Sequence, residues 1–222
     1  MPPSPKSVIL TGASGMIGGM ILQVSLNSEA VAKVTSLVRK PSGTTHPKLK
    51  EVVVKDFMTY DDVKADLIGQ DVAFFCIGVY TGAVPRDEFR KITVDYPVNF
   101  AKALHAMSPQ ATFCLLSGAG ADRNEKSRLM FAKDKGAAEN QLAAIGFKAF
   151  HTFRPGYIYP DTPRQEPNLS YRIMRKLYPL IKLMGPGQSI KASELANVMF
   201  RIGMEGGPKE VYENREMVLI RD

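Results

Sequence analysis

Cysteine is scarce in this chain of 222 residues: it occurs twice, at Cys76 and Cys114, each time inside an apolar run. Two such thiols do not make the disulfide framework of a small secreted domain, so we expect a protein of a reduced, intracellular compartment. The three histidines, His46, His105 and His151, are far apart and have no ligand-like spacing. The sequence therefore predicts neither a disulfide scaffold nor a metal site.

Long apolar runs and a targeting signal are also missing. The longest apolar stretch is 72–80, far shorter than the roughly 20 residues that cross a bilayer. Residues 1–7 are rich in proline and lack the apolar centre of a secretory signal. We therefore predict a cytoplasmic protein with no stable membrane insertion.

Basic residues outnumber acidic ones by 29 to 22, which gives a formal net charge of +7. They are scattered, and only 171–182 concentrates them, so we expect no nucleic-acid partner. A basic enzyme with a polyanionic cofactor accounts for the charge equally well. We interpret 171–182 as an amphipathic helix packed on the core, and contact with an acidic membrane or a partner protein is the alternative.

Short apolar runs alternate with helical stretches along the first two thirds of the chain. The predicted strands are 8–10, 34–38, 52–54, 72–76, 112–116 and 147–153, with a last one near 211–212 or 217–220. The first predicted helix begins near Met16. The other predicted helices cover 61–67, 86–107 with a kink at Pro97, 127–145, 169–183 and 193–204.

These strands are continuously apolar rather than alternating. Such strands are buried on both faces, which is typical of a parallel sheet covered by helices. We therefore predict an α/β fold, a doubly wound parallel sheet of the Rossmann type, in a single domain over 1–222. Its core is about 6–156, and the small, helical C-terminal portion 157–222 forms one wall of a substrate cleft.

A glycine-rich turn connects the first strand to the first helix. Gly12 allows a sharp turn, Gly15 lets a pyrophosphate approach the backbone, and Gly18 lets the helix pack closely on the strand. The N–H groups and the dipole of the helix N-terminus favour an anion. This context predicts a dinucleotide site rather than an ordinary turn. Its residues are Gly12, Ala13, Ser14, Gly15, Met16, Ile17 and Gly18.

Two basic residues, Arg39 and Lys40, follow the second strand, with no acidic residue beside them. A carboxylate there would hold the ribose 2′-hydroxyl of NAD, whereas a basic side chain accommodates the 2′-phosphate of NADP. The alternative is a solvated loop arginine. We predict that the cofactor is NADP(H).

The ends of the next two strands supply further cofactor candidates. Asp56 either accepts a hydrogen bond from the adenine amino group, with Phe57 beside the ring, or caps the following turn. Cys76, Ile77 and Gly78 lie where the chain would pass beneath the adenine-side ribose. We expect Cys76 itself to be an inert, packed thiol, because no neighbouring His or Lys lowers its pKa.

Four motifs together resemble a known superfamily. They are 11–18 (TGASGMIG), 115–122 (LLSGAGAD), 135–139 (KGAAE) and 153–156 (FRPG). The first is similar to the TGxxGxxG fingerprint of the short-chain dehydrogenase/reductase superfamily. All four, in this order, are similar to its atypical, epimerase-like branch that contains the Tat-interacting-protein-like oxidoreductases. The resemblance extends from Ser7 to about Met204.

The resemblance implies a Tyr-x-x-x-Lys pair that protonates a carbonyl and holds the nicotinamide ribose, and a serine that orients the substrate. Lys135 fits the lysine, but Phe131 stands where the tyrosine is expected. Ser117 is the candidate serine, although its neighbours Gly118 and Ala119 occupy places where relatives often carry hydroxyls.

Other tyrosines follow strands four and six. Tyr80, Tyr157 and Tyr159 are alternative proton donors, since their loops should border the nicotinamide, and the other interpretation of each is a packing residue. We also assign Pro155, Gly156 and Tyr157 to cofactor binding on this resemblance.

Two functions follow. The first is an NADP(H)-dependent oxidoreductase that moves hydride to or from a small carbonyl or enone-like molecule. The second is a catalytically silent NADP(H)-binding regulator whose occupancy alters a partner interface. Phe131 favours the second, and the tyrosines near the site favour the first.

Overall fold

The computed structural model describes residues 4–162, 185 and 187–221. Its strands are β1 (Lys6–Thr11), β2 (Val31–Val38), β3 (Leu49–Val53), β4 (Val72–Phe75), β5 (Thr112–Leu116), β6 (Ala149–Arg154), β7 (Tyr157–Tyr159), β8 (Ser189–Lys191) and β9 (Val211–Glu213). Its α-helices are α1 (Met16–Asn27), α2 (Arg86–Arg90), α3 (Tyr96–Met107), α4 (Met130–Ala143), α5 (Ala192–Glu205) and α6 (Asn214–Leu219). A 3₁₀ helix covers Asp61–Leu67, and a π-helical segment covers Lys91–Asp95.

Seven strands form one sheet in the order β3-β2-β1-β4-β5-β6-β9. Every neighbouring pair is parallel. The order reverses at β1 and β4, because β2 and β3 lie on one side of β1 and the later strands on the other. In open α/β sheets, ligands bind at the carboxyl ends of the strands beside such a reversal.

Apolar side chains are buried on both faces of the sheet. Leu10 belongs to a cluster beneath α1 and α5, and its neighbour Ile9 belongs to a cluster beneath α3 and the 3₁₀ helix. Both side chains are fully buried. The continuous apolar runs therefore have the cause expected from the sequence, and the doubly wound α/β fold is confirmed.

Helix α5 packs against α1 and covers the first βα unit. Ile21 of α1 shares a fully buried cluster with Leu195 and Met199 of α5. At the end of α5, the carbonyl oxygen of Met204 accepts a hydrogen bond from Lys6 Nζ at the start of β1. The glycine-rich turn is thus supported by a helix from the other end of the described chain.

The helix predicted over 86–107 contains an irregularity that lies earlier than expected. Lys91–Asp95 forms a π-helical segment, and Pro97 lies in the first turn of α3. Proline has no N–H to donate, and its ring crowds the carbonyl four residues before it. The helix therefore accommodates Pro97 by a wider, π-helical turn before it, and not by a kink at the proline itself.

The C-terminal part contains elements that the sequence did not predict. The last strand is β9, whereas most of 217–220 belongs to α6. Strands β7 and β8 pair in a separate parallel sheet of three residues each, which is too short to show a period. The helix expected over 169–183, with the basic segment 171–182, lies outside the described residues. Within the part that the structure describes, no helix has both the length and the apolarity to cross a membrane.

Candidate cofactor-binding and active site

The glycine-rich turn is shaped by two very close backbone contacts. Gly12 has a φ of +80°, and a Cβ on it would lie 2.7 Å from the carbonyl carbon of Cys76. A Cβ on Gly18 would lie 2.2 Å from the carbonyl oxygen of Gly12. Both contacts exclude a side chain, so β1, α1 and the end of β4 meet closely because these positions are glycine.

Gly15 has a different environment. It is the N-cap of α1 with a φ of −86°, which any residue can adopt, and no side chain caps the helix or places an acid in its first turn. A Cβ on Gly15 would meet the carbonyl oxygen of Gly12 at 3.2 Å, with no other atom within 4 Å among the described residues. The start of α1 therefore faces open space, as an anion-binding helix N-terminus requires.

Replacing Gly15 with valine is expected to abolish NADPH binding while the protein stays folded. The branched side chain would fill the space in which a phosphate meets the backbone, but the φ at this position is accessible to valine. Thermal unfolding with and without NADPH measures the effect. The cofactor-free variant should unfold close to the natural protein, and an undiminished stabilisation by NADPH would show that the turn does not hold the cofactor.

A cavity of about 880 Å³ opens at the carboxyl ends of β1, β4 and β5. It brings together many of the residues that the sequence singled out. These are Gly15, Met16, Ile17, Cys76, Ile77, Gly78, Tyr80, Ser117, Lys135, Pro155, Gly156 and Tyr157. Phe131 and Gly118 also line it, together with Thr81 and Thr93, which no sequence motif had singled out.

Four of the predicted cofactor residues lie outside this cavity: Arg39, Lys40, Asp56 and Phe57. Arg39 and Lys40 are exposed just beyond β2, and no ion pair with a described residue occupies the Arg39 guanidinium. Asp56 Oδ1 accepts a hydrogen bond from the backbone N–H of Met58, so Asp56 caps its turn. The prediction that Phe57 lies beside the adenine ring is corrected. Its side chain is 5% exposed and packs in the core, which leaves no free face for an adenine.

Cys76 has the inert character expected from the sequence. Burial raises the pKa of its thiol to about 12. It therefore remains protonated at neutral pH and is a poor nucleophile.

Lys135 projects from α4 into the cavity. A Cβ on Gly118 would lie 3.2 Å from Cε and 3.4 Å from Nζ of Lys135, so the lysine lies directly against this glycine. Burial lowers the pKa of Lys135 to about 8, and the negative charge of Glu139 opposes this shift.

Of the two hydroxyls that the resemblance implies, one is missing and the other is already hydrogen-bonded. Phe131 lies one turn earlier on α4 and lines the same cavity. Gly118 has no side chain at the place nearest to Lys135. Ser117 donates a 2.6 Å hydrogen bond to Glu139 Oε1, and its side chain is buried. Ser117 therefore donates its hydroxyl proton to Glu139 and not to a molecule in the cavity. This corrects the substrate-orienting role expected of Ser117.

Glu139 is the centre of an ion-pair network that sequence reasoning missed. Its carboxylate, with no exposed surface, accepts hydrogen bonds from Arg154 at 2.5 and 3.0 Å and from Arg123 at 2.9 Å. Arg123 also pairs with Glu210, and Arg154 with Glu213. Glu139 and Arg154 both stood within the recognised motifs, which was the one available signal.

A second buried carboxylate precedes Lys135. Asp134 is unexposed and forms a two-pronged pair with Arg86, at 2.6 and 2.9 Å, and a further bond with Arg90 at 3.0 Å. These bonds join α2 to α4. No cluster of three His, Cys, Asp or Glu side chains suited to a metal occurs within 4–162, 185 and 187–221.

Comparisons with known proteins agree with this architecture. Residues 12–203 match the NAD(P)H-binding family. The chain is 28% identical to Protein HTATIP2 of Rattus norvegicus over 218 residues, covering 96% of this chain and 88% of the relative. It is 26% identical to the mitochondrial Protein FMP52 of Candida albicans over 208 residues, covering 90% and 89%.

Solved structures show the same fold at low identity. Gre2 of Candida albicans, solved with NADPH, superposes with a TM-score of 0.71 at 17% identity and covers 95% of this chain and 78% of its own. A short-chain dehydrogenase of Burkholderia cenocepacia, solved with NADP, has a TM-score of 0.66 at 18% identity, with 95% and 88% covered. The chain therefore belongs to the NAD(P)H-binding family, and its similarity to Protein HTATIP2 fits the atypical, Tat-interacting-protein-like branch of the short-chain dehydrogenases/reductases.

Proposed function

We propose that the protein is an NADP(H)-dependent oxidoreductase that acts on a small carbonyl-type substrate. The observation that carries the proposal is one cavity that combines the uncapped start of α1 with the side chain of Lys135. Gly15 at the helix start suits the pyrophosphate, and Lys135 suits the nicotinamide ribose. The cofactor, when bound, supplies hydride at the nicotinamide.

The choice of NADP(H) over NAD(H) rests on the end of β2. Arg39 is exposed there without an ion-pair partner among the described residues, and Lys40 follows it. A guanidinium forms two-pronged bonds with phosphate, and a 2′-phosphate is the group that separates the two cofactors.

Replacing Arg39 with alanine is expected to remove most of the preference for NADPH over NADH. A charge-assisted phosphate contact contributes roughly 1.5–3 kcal/mol, which corresponds to an affinity ratio of about ten to a hundred. Titration calorimetry with each cofactor measures it. Lys33→Ala, at an exposed position of β2, the strand that Arg39 follows, is the matched control and should leave the ratio unchanged. Equal affinities in the natural protein, or a ratio unaffected by Arg39→Ala, would remove the basis for NADP(H).

Oxidation of NADPH in the presence of a panel of aldehydes, ketones and enones tests the reaction itself. Turnover of any of them, with loss of NADPH absorbance and a product of matching mass, supports an oxidoreductase. Tight NADPH binding without turnover on the whole panel contradicts it.

A silent NADP(H)-binding regulator is the second candidate, because Phe131 and Gly118 leave Lys135 without the neighbouring hydroxyls that the resemblance implies. Hydrogen exchange with and without NADPH distinguishes this function. A regulator should show protection that extends from the cavity to a surface, whereas an enzyme needs protection at the cavity alone.

The cytoplasmic location remains a prediction, and Protein FMP52 of Candida albicans is itself named as mitochondrial.

A further inference from the structure

We propose that Lys135 is the proton donor of the reaction, in place of the tyrosine that position 131 lacks. The inference rests on the proposed oxidoreductase function and deepens it. In the usual arrangement implied by the resemblance, the lysine binds the ribose and assists a tyrosine. Here the lysine would itself deliver the proton to the substrate oxygen.

The first support is the charge distribution of the cavity. Among its described lining residues, Lys135 carries the one charged side chain. The other polar side chains are hydroxyls, and the remaining wall is apolar or glycine. An oxygen that develops negative charge during hydride transfer would find its strongest partner at this ammonium group.

The second support is that the neighbouring carboxylates are already paired. Asp134 is bound by Arg86 and Arg90, and Glu139 by Arg154 and Arg123. No carboxylate in the described part of the chain forms an ion pair with Lys135. Its ammonium group is therefore available to a ligand.

The third support is the space around the amine. Gly118 leaves open the volume that a side chain would fill within 3.4 Å of Nζ. Phe131 adds an apolar ring one turn away and competes for no proton. Burial independently lowers the pKa of Lys135 to about 8, close to the pH at which an acid both carries and releases its proton effectively.

The step balances without a further reactant. The carbonyl carbon receives the hydride of the reduced cofactor as two electrons and one proton, and the C=O π pair moves onto oxygen. That oxygen takes one proton from Nζ and becomes a hydroxyl, while the carbonyl carbon is reduced to the alcohol level. Lys135 is left as a neutral amine and recovers its proton from water.

The substitution Lys135→Arg separates proton donation from cofactor binding. A guanidinium keeps the positive charge but does not release its proton in this pH range. We expect Lys135→Arg to retain most of the NADPH affinity while kcat falls by roughly a hundredfold or more. Lys133→Arg, on the exposed side of the same helix, is the matched control and should retain both. Calorimetry gives the affinity and steady-state kinetics gives kcat.

The pH profile and a chemical titration complete the test. The acid must be protonated, so kcat of the natural protein should fall as pH rises through about 8. In the cofactor-free protein, labelling of Lys135 by an amine-reactive reagent, followed by mass spectrometry, should show a midpoint near the same pH. A labelling midpoint at about pH 10, the ordinary lysine range, would overturn the assignment.

The kinetics of the variants distinguish failure of the proton-donor role from failure of the oxidoreductase function. Undiminished kcat in Lys135→Arg overturns the proton-donor role and leaves the oxidoreductase intact. Loss of kcat in Tyr80→Phe or Tyr157→Phe, with Lys135→Arg still active, assigns the proton to that tyrosine. Absence of turnover in the natural protein with NADPH bound overturns the proposed function and this inference together.

Discussion

Phe131→Tyr is expected to increase NADPH-dependent carbonyl reduction by up to about a hundredfold. Phe131 lies one turn before Lys135 on α4 and lines the same cavity, so a hydroxyl added to its ring would enter the site. General acid catalysis contributes roughly 10²–10⁴-fold, and Lys135 already supplies part of this factor, so a second proton donor should gain at most the lower value. Initial rates of NADPH oxidation on simple aldehydes and ketones measure the gain.

Leucine at the same position is the matched control, since it changes the ring but adds no hydroxyl. Phe131→Leu should not accelerate the reaction. No turnover in the natural protein or in Phe131→Tyr, with cofactor bound, would favour the regulator. A natural enzyme that is fast and indifferent to changes at Phe131, Tyr80, Tyr157 and Lys135 would contradict any proton donor from the protein.

Removing the carboxylate of Glu139 is expected to lower the free energy of unfolding by about 3–5 kcal/mol, the usual effect of breaking one side of a buried ion pair. Glu139→Ala leaves Arg154, which is 13% exposed, with one carboxylate instead of two, and Ser117 without its acceptor. Urea unfolding measures the loss. Glu210→Ala removes an exposed partner of the same network and should cost less than about 1 kcal/mol. Similar losses in the two variants would contradict a central role for Glu139.

The same carboxylate should make stability depend on pH. Burial alone raises the pKa of Glu139, but hydrogen bonds from Arg154, Ser117 and Arg123 outweigh it, and its pKa lies below the ordinary value. Such a group stabilises the fold fully above the unfolded pKa of about 4.3, and this contribution disappears as pH falls through the folded pKa. The stability difference between the natural protein and Glu139→Gln should therefore shrink in acid. A difference that persists unchanged would contradict this pairing.

The sheet was predictable from the sequence because each of its main strands is marked by a short run of apolar residues. The run 113–116 is apolar without interruption, and the structure has β5 over the predicted range 112–116. The glycine-rich turn was equally predictable, since Gly18 contacts Gly12 within one βα unit and Gly12 has a positive φ. Local signals of this kind do not depend on knowing the rest of the fold.

The ion pairs and the ring of Phe57 could not be predicted in the same way. Glu139 meets Arg123 and Arg154 only after α4 and β6 have packed, and charged residues are ordinarily solvated. Phe57 follows a strand as a cofactor contact would, but Tyr96 at the start of α3 approaches its ring, as does Tyr60 of the same loop. Such partners are set by tertiary packing, which no short pattern encodes.

The contact between α1 and α5 has a consequence for how the protein is made. The apolar face of α1 needs Leu195 and Met199 for its cover, and these residues leave the ribosome long after β1 and α1. A nascent chain therefore carries an uncovered glycine-rich turn through most of its synthesis, which is when apolar surfaces recruit chaperones. A stop codon before Ala192 would remove this cover, and we expect it to disable the proposed cofactor binding at Gly15, although every residue of that turn had already been translated.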